Sequence, residues 1–584
     1  MRLLLSVFVL VLQILVAQAT EIYVSQEGND KASGSVKEPV QSFEKALEIS
    51  RKFNGAKTIF LTEGTHFLRE TIQLDGRDQG LTLHGNYKAT LSGGELVENW
   101  EVLENGFWRA KVPVEGSPRE LFINGKRATR ARFPNKGWHR IEKSLPDRRS
   151  GFSFNQGDIE NDLEPSEGLE LIFLHDWSIS RIPVASIDHC ERVLKVEFPI
   201  GCEAPHYAID HFEKHPRYAL EGSLALLDEP GEWAIKDGHV YYNPIEGENI
   251  KKTEFIFPKL TKLLEIAPGK DGKQPNSIWI FRVNFAHCRW DLPIEGYASG
   301  QASVHEWRDG TGKKGRKFIP AAVEVRDAHR VHFQSTKFSQ LGGSGLWFRG
   351  NSESCTLIYG EFSDISANAI NIGEQSTPKV PVNIDVNQSL ISNTGIQYFG
   401  SVGIWIGMAT NCSVFMSEIR NLPYTGISVG WRWSPTPSPC KGHHISGNHI
   451  HQVLQVLSDG GGVYTLGLQP KTIISKNYIH DVPLNLGRAQ SNGIFLDQGS
   501  TEIHLIDNII NNVAKSPIRF HQAGTNWIFE SYLGTGTDIP AFTYNQTDSK
   551  DIVKVNNKVF DSKSPEIQKA GAEWLKDFDL GIKK

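Results

Sequence analysis

From about residue 278 onward the chain repeats one unit: an apolar residue, four variable positions, a second apolar residue, a short gap, and then Gly-apolar-x-apolar. A repeat of this kind outranks every other reading, because a unit too small to bury its own apolar face must stack on its neighbours. The leading apolar pairs are Ile280/Phe285, Phe333/Phe338, Leu357/Phe362, Val386/Ile391, Val414/Ile419, Ile445/Ile450, Ile474/Ile479 and Leu505/Ile510. From Phe333 the first member returns after 24, 29, 28, 31, 29 and 31 residues. The later strand of each unit reads Gly345-Leu-Trp-Phe, Ala369-Ile-Asn-Ile, Gly403-Ile-Trp-Ile, Gly426-Ile-Ser-Val, Gly462-Val-Tyr-Thr, Gly493-Ile-Phe-Leu and Pro517-Ile-Arg-Phe. Its apolar residues alternate with unlike ones, which is the period of a strand and not the 3.6 of a helix. The asparagine and leucine frame of a leucine-rich repeat is missing. The pattern predicts an all-β chain, a right-handed parallel β-helix of the pectin-lyase-like kind with about three short strands per coil.

Two details fit stacked coils. Asn448, Asn477 and Asn508 stand three residues past the leading apolar position in successive units, preceded there by Ser389 and Ser417. Asparagine at one turn position can hydrogen-bond up a stack and tolerates left-handed backbone, so this is a structural signal. Cys355 and Cys412 both fall two residues before a leading position, two coils apart. At about 4.8 Å per coil they are too distant for a disulfide and are expected as buried free thiols. The six cysteines include no C-x-x-C pair and no metal-ligand spacing.

The rest of the chain divides around this repeat. Residues 1–19 carry Arg2, an apolar run and then Ala17-Gln18-Ala19, the form of a cleaved export leader, so a secreted or periplasmic protein is expected. The run is too short to span a bilayer and no other follows. Residues 20–98 read as an end cap and the first coils, with an amphipathic segment at 42–53 to cover the open end. Residues 99–258 lose the repeat and show strands with turns, including the hairpin signal Asn124-Gly125, as an inserted β-sandwich-like domain would. The main β-helix occupies 259–563, interrupted by a long polar loop at 289–320, and 564–584 reads as a C-terminal helix and tail.

A net charge of −5 with interspersed signs excludes a nucleic-acid footprint or a polybasic membrane patch. Fourteen Trp and fourteen Tyr suit a partner with flat apolar faces, such as a poly- or oligosaccharide. No cofactor is called for; a structural calcium is compatible with the fold but no ligand motif demands it, and the oligomeric state stays open.

Stacking the later strands gives an outward column of Trp347, Asn371, Trp405, Ser428, Tyr464, Phe495 and Arg519. Two residues further on the column is Arg349, Gly373, Gly407, Gly430, Leu466, Asp497 and His521. Aromatics beside a glycine floor with a few polar heads are what a sugar cleft needs, although loops covering an ordinary sheet face would look the same. The sugar-binding candidates are therefore Trp347, Trp405, Tyr464, Arg349, Gln498, Arg519 and His521. The gap from leading residue to later strand is at most 12 residues in four units but 17, 17 and 19 in those starting at Val386, Ile445 and Ile474. Long loops on adjacent coils carry function more often than short ones. Asp459 and Asp497 come from the last two of these units, and glycosidic hydrolysis needs one carboxylic acid and one carboxylate. The alternative employment is a turn residue for Asp459 and a strand-end cap for Asp497. Asp459 precedes its strand while Asp497 follows its own, so the Asp459 loop must fold back over the sheet. His443, His444, His449 and His451 cluster in sequence, but strand alternation is expected to scatter them to opposite faces, which argues against a metal site.

The chain resembles glycoside hydrolase family 141. The matching residues are Pro39-Val-Gln-Ser-Phe-Glu-Lys-Ala, the stretch from Glu120-Leu-Phe-Ile-Asn-Gly-Lys to Arg132-Phe-Pro134, Gly231-Glu-Trp-Ala with Val240-Tyr-Tyr-Asn-Pro244, and Ser458-Asp-Gly-Gly-Gly-Val-Tyr-Thr. The resemblance implies a secreted β-helix glycosidase of α-L-fucosidase or xylanase type, with a carboxylate pair at Asp459 and Asp497. Which sugar is cleaved does not carry over, since similar frameworks act on several glycans. The rival enzyme is a polysaccharide lyase, which would want a basic cleft. The rival outside enzymes is a noncatalytic glycan-binding surface protein.

Overall fold

A computed structural model describes residues 20–308, 314–376 and 378–582; the expected leader at 1–19 lies outside the described residues. Three ladders of parallel strands run the length of the molecule and form a three-sided β-helix. One face runs through His329–Gln334, Thr356–Ile358, Asp385–Asn387, Ser413–Phe415, His444–Ser446, Leu468–Ser475 and Thr501–Ile506. The second runs through Lys337–Leu341, Glu361–Ile365, Leu390–Ser392, Glu418–Arg420, His449–His451, Tyr478–Val482 and Ile509–Val513. The third, which carries the later strand of each repeat, runs from Ile72–Leu74 to Phe542–Asn545. Each repeat's leading apolar pair points inward, and like residues stack: the Phe338 and Phe362 rings lie 4.6 Å apart and nearly parallel, at 2°. The open end is covered by the helix Phe43–Ser50, capped by Ser42 and burying Phe43, Ala46 and Leu47.

The expected asparagine stack runs through the turn between the first two faces. Asn448 donates through its backbone N–H (3.0 Å) and Nδ2 (2.9 Å) to Asn477 Oδ1, and Asn477 repeats both bonds to Asn508 Oδ1 at 3.1 and 2.9 Å. Each Nδ2 also donates to a main-chain carbonyl, Asn477 to Ile445. All three asparagines are buried, so removing one strands its neighbours' polar groups in the wall. Asn477→Ala is expected to cost about 2 kcal/mol, read from urea unfolding. A loss below a few tenths would mean that water replaces the ladder.

The strands Gly94–Leu96 and Phe255–Pro258 pair antiparallel and tie off the insertion between them. Its largest sheet is antiparallel, with Glu170–Leu174 and Ile179–Asp188 at its centre. Here the expectation of a long polar loop at 289–320 is corrected. Tyr297–Ser299, Val304–Arg308 and Lys314–Phe318 are strands that extend this sheet, Tyr297–Ser299 pairing with Ile179–Asp188. Their partner lies more than a hundred residues upstream, so no local turn signal announces them, and polar residues such as His305 are buried between strands. The helix Pro565–Asp577 closes the chain against the second face. Cys355 and Cys412 are buried free thiols, and burial pushes both up to about 12. Among the described residues no helix is long and apolar enough to cross a membrane.

Candidate active site

The outward column of the third face has the expected register: Trp347, Asn371, Trp405, Ser428, Tyr464, Phe495 and Arg519 are paired in turn. Most of it is roofed over. Trp405 is wholly buried, its ring 4.4 Å from Phe318 and 5.3 Å from Trp431. The ring lies over Gly407, where an added Cβ would meet Trp405 Cη2 at 2.1 Å, so this glycine makes room for a tryptophan and not for a sugar. Trp347 is 6% exposed and donates from Nε1 to the Gly373 carbonyl at 2.8 Å. Arg349 lies 4.2 Å over the Trp347 ring and pairs with Glu374 at 2.7 Å. The candidate sugar-binding roles of Trp347, Trp405 and Arg349 are therefore corrected to packing. The physical reason is the strand Lys314–Phe318, which covers a face that period alone leaves open.

Beyond Trp405 the column opens into a cleft of about 950 Å³. Tyr464, Asp459, Asp497, Gln498, Arg519 and His521 all line it, so six of the nine candidates come together. Asp459 immediately precedes the strand Gly460–Thr465, and the three glycines let that strand run close beneath Tyr424 and Thr425; a Cβ on Gly460 would lie 2.4 Å from Thr425 Oγ1. Asp459 itself takes a left-handed backbone, with φ of 60°. Its N–H donates to the Gln490 carbonyl (2.9 Å) and its own carbonyl accepts from Tyr424 Oη (3.0 Å). The preceding N–H, of Ser458, donates to the Asp176 carbonyl of the insertion at 2.8 Å.

The two carboxyl groups have different partners. Arg519, stacked 4.3 Å over the Phe495 ring, folds back across one coil to donate from Nη1 to Asp459 Oδ1 at 2.9 Å. Burial at the cleft floor raises the Asp459 carboxyl, and the negative Asp497 adds to this; the Arg519 guanidinium opposes it, and the net shift is upward. Asp497 follows its strand and meets a donor on each oxygen, Tyr464 Oη on Oδ2 at 2.5 Å and His521 Nδ1 on Oδ1 at 2.6 Å. Burial raises the Tyr464 hydroxyl well above its ordinary value, so it stays a donor. The two carboxyls thus differ in surroundings: burial raises that of Asp459, while Asp497 is held on one oxygen by Tyr464 and on the other by His521.

The opposite wall comes from places the repeat says nothing about. Trp177 sits at the tip of the hairpin between Glu170–Leu174 and Ile179–Asp188, and His206, Tyr207 and Phe212 stand beside it. Arg316 enters from Lys314–Phe318, Trp431 and Trp433 from the loop after the strand Ile427–Val429, Arg488 and Gln490 from the long loop after Tyr478–Val482, and Lys515 from the short turn before Ile518–His521. A tryptophan at the tip of an apolar hairpin is a visible signal for Trp177; nothing in the local pattern marks Arg316 or Lys515. On the second face, His449 and His451 are two apart on one strand and so share a side, while His443 is buried on its own. The expected scattering of the histidines is thus corrected for this pair.

The fold and cleft define a parallel β-helix protein with an inserted antiparallel domain. No family profile matches the sequence, and no curated protein matches it. Among solved structures, one described as a glycoside hydrolase superposes with a TM-score of 0.80 at 22% identity, over 95% of this chain and 100% of the other. A complex of XylC with xylose gives a TM-score of 0.48 at 11% identity, over 92% of this chain and 86% of that one. The Streptococcus pneumoniae surface protein and adhesin PfbA gives 0.40 at 10%, over 93% and 98%. The first of these likenesses shows that the fold is shared over 95% of this chain.

Proposed function

We propose that this chain is an exported glycoside hydrolase of the family 141 type, secreted or periplasmic by virtue of its leader at 1–19. It cleaves a glycosidic bond of a complex plant or algal glycan, a fucoside or xylan being the first substrates to try. The observation that carries the reading is the pair Asp459 and Asp497, on neighbouring coils of one aromatic-walled cleft, with opposite hydrogen-bonding surroundings. Asp459 protonates the leaving oxygen; Asp497, oriented by Tyr464 and His521, activates water or attacks the anomeric carbon. Trp177 and Trp433 offer faces for sugar stacking. The test is incubation of the purified protein with aryl glycosides and polysaccharides. New reducing ends without unsaturated sugars support the reading, and unsaturated ends sink it.

One observation favours the lyase as a second reading: Arg316, Arg488 and Lys515 join Arg519 and His521 in the cleft, so it is more basic than the strand column alone. In that case a basic side chain removes the proton beside a uronate, and the products carry ultraviolet-absorbing double bonds.

The electrostatics also set a pH expectation. The folded state favours protonated Asp459, so its contribution to stability is full at low pH and is lost as pH rises through the raised value. The same value governs the alkaline limb of kcat/KM if Asp459 is the acid. Arg519→Met removes the group that lowers it, so that limb is expected to move to higher pH. A limb that stays in place or moves down would take the acid role away from Asp459.

A further inference from the structure

On the second face, away from the cleft, three successive coils bring imidazoles and a carboxylate together. Glu418 pairs in register with His449, and His451 with His480 on the next coil. Glu418, His449 and His451 offer one ligand atom each within 4.8 Å of one another. His449 Nε2 lies 2.8 Å from His480 Nε2, and His451 Nε2 lies 3.2 Å from Glu418 Oε1. We propose that Glu418, His449, His451 and His480 form a binding site for one divalent transition-metal ion of the zinc class.

Three features point to a ligand set and not merely to a stack of rings. First, His480 Nδ1 bonds Asp481 Oδ2 at 2.8 Å, and Asn512 Nδ2 holds the other oxygen of Asp481 at 2.5 Å. That bond places the His480 proton on Nδ1 and turns the Nε2 lone pair toward His449, the carboxylate–histidine arrangement that orients metal ligands. Second, two Nε2 atoms at 2.8 Å can be joined only by a proton or a cation. Bonds of about 2.0–2.1 Å from zinc to tetrahedral ligands put neighbouring donors about 3.3 Å apart, so an ion would open the His449–His480 pair slightly and draw the other donors inward, those of Glu418, His449 and His451 lying within 4.8 Å of one another. Third, the cluster is partly shielded: the side chains of Glu418, His451 and His480 are 19%, 13% and 16% exposed, and Trp574 and Phe578 from the C-terminal segment stand over His449 at 5.8 and 5.5 Å. Imidazole nitrogen with one carboxylate suits zinc, nickel or copper, and is a poor set for calcium or magnesium, which prefer oxygen. Arg420 Nε shares Glu418 Oε1 at 3.2 Å, which lowers the affinity relative to a site without a cation. The ion would bridge three coils beneath the last helix and takes no part in the cleft's chemistry.

The test uses the full chain stripped with a chelator and titrated calorimetrically with ZnCl2, beside thermal unfolding. We expect one zinc per chain, a rise in Tm on zinc addition, and neither in His451→Gln. Asp481→Asn keeps all four ligands yet loses their orientation, and is expected to weaken binding roughly 10–100-fold. Circular dichroism confirms that each variant is folded. Zinc uptake by His451→Gln equal to that of the parent, no weakening in Asp481→Asn, or an equal Tm rise with CaCl2 would each overturn the proposal.

Discussion

Asp459→Asn should lower kcat/KM on natural glycans about 10³-fold while sparing aryl glycosides whose phenol leaves without help. A general acid contributes about 10²–10⁴, and only to leaving groups that need a proton. Asparagine keeps the shape, still accepts from Arg519, and tolerates the left-handed backbone at φ 60°. The backbone bonds that hold Asp459 do not involve its carboxyl, so the fold stays intact. Asp497→Asn should instead lose activity on both kinds of substrate by at least as much, because activation of water or attack on carbon is needed whatever the leaving group. It also places an amide against Tyr464 and His521, where both donors now compete for one oxygen. Equal losses on activated and natural substrates in Asp459→Asn would reverse the two assignments. Unchanged activity in either variant would remove that residue from the chemistry.

Glu170→Gln is expected to destabilise the insertion by about 3–5 kcal/mol, the cost of removing one partner from a buried charge network. Arg119 grips Glu170 through both oxygens at 2.6 and 2.8 Å, Arg181 reaches it at 2.6 Å and Arg130 at 3.2 Å; Arg130 and Arg181 also bond Glu221. Burial alone would raise the Glu170 carboxyl, yet the three guanidinium groups hold it well below the usual range. Its stabilisation is therefore full at neutral pH. It starts to fade as pH falls past the ordinary value near 4.3 and is lost through the lower folded value, so the gap between parent and variant should shrink in acid. Urea unfolding at pH 7 and pH 3 measures both. A difference under about 1 kcal/mol at pH 7 would show that water enters the network. Arg181 also donates to the Gln397 carbonyl at 3.0 Å, so the variant should loosen the cleft wall as well, with KM rising before kcat falls.

Much of this was open to a reader of the sequence, and the boundary has a physical cause. Strand register follows from a two-residue period and a repeat length, both local, and so the column from Trp347 to Arg519 could be aligned residue by residue. The asparagine stack was legible for the same reason. What covers a sheet is not local. Trp405 is buried because Phe318, nearly ninety positions earlier, lies on it, and Trp177 reaches the cleft of Asp497 only because an antiparallel hairpin docks there. For the histidine group, strand alternation separates neighbours but unites residues two apart, and stacking adds the coil above and the coil below.

The bond from Ser458 to Asp176 joins positions 282 apart in the chain. That separation orders events in time. During synthesis the insertion is complete long before coil 458 emerges, so the hairpin carrying Trp177 must wait, folded or nearly so, for the surface it will rest on. Stacked coils can add one by one as they appear, each supported by the last. The acid at 459 receives its backbone geometry only when these two separately built parts meet, a long-range closure of the slow kind. Competence for catalysis should consequently arrive as a late step in refolding, lagging the return of β-structure, with the delay set by docking of the insertion and not by growth of the helix.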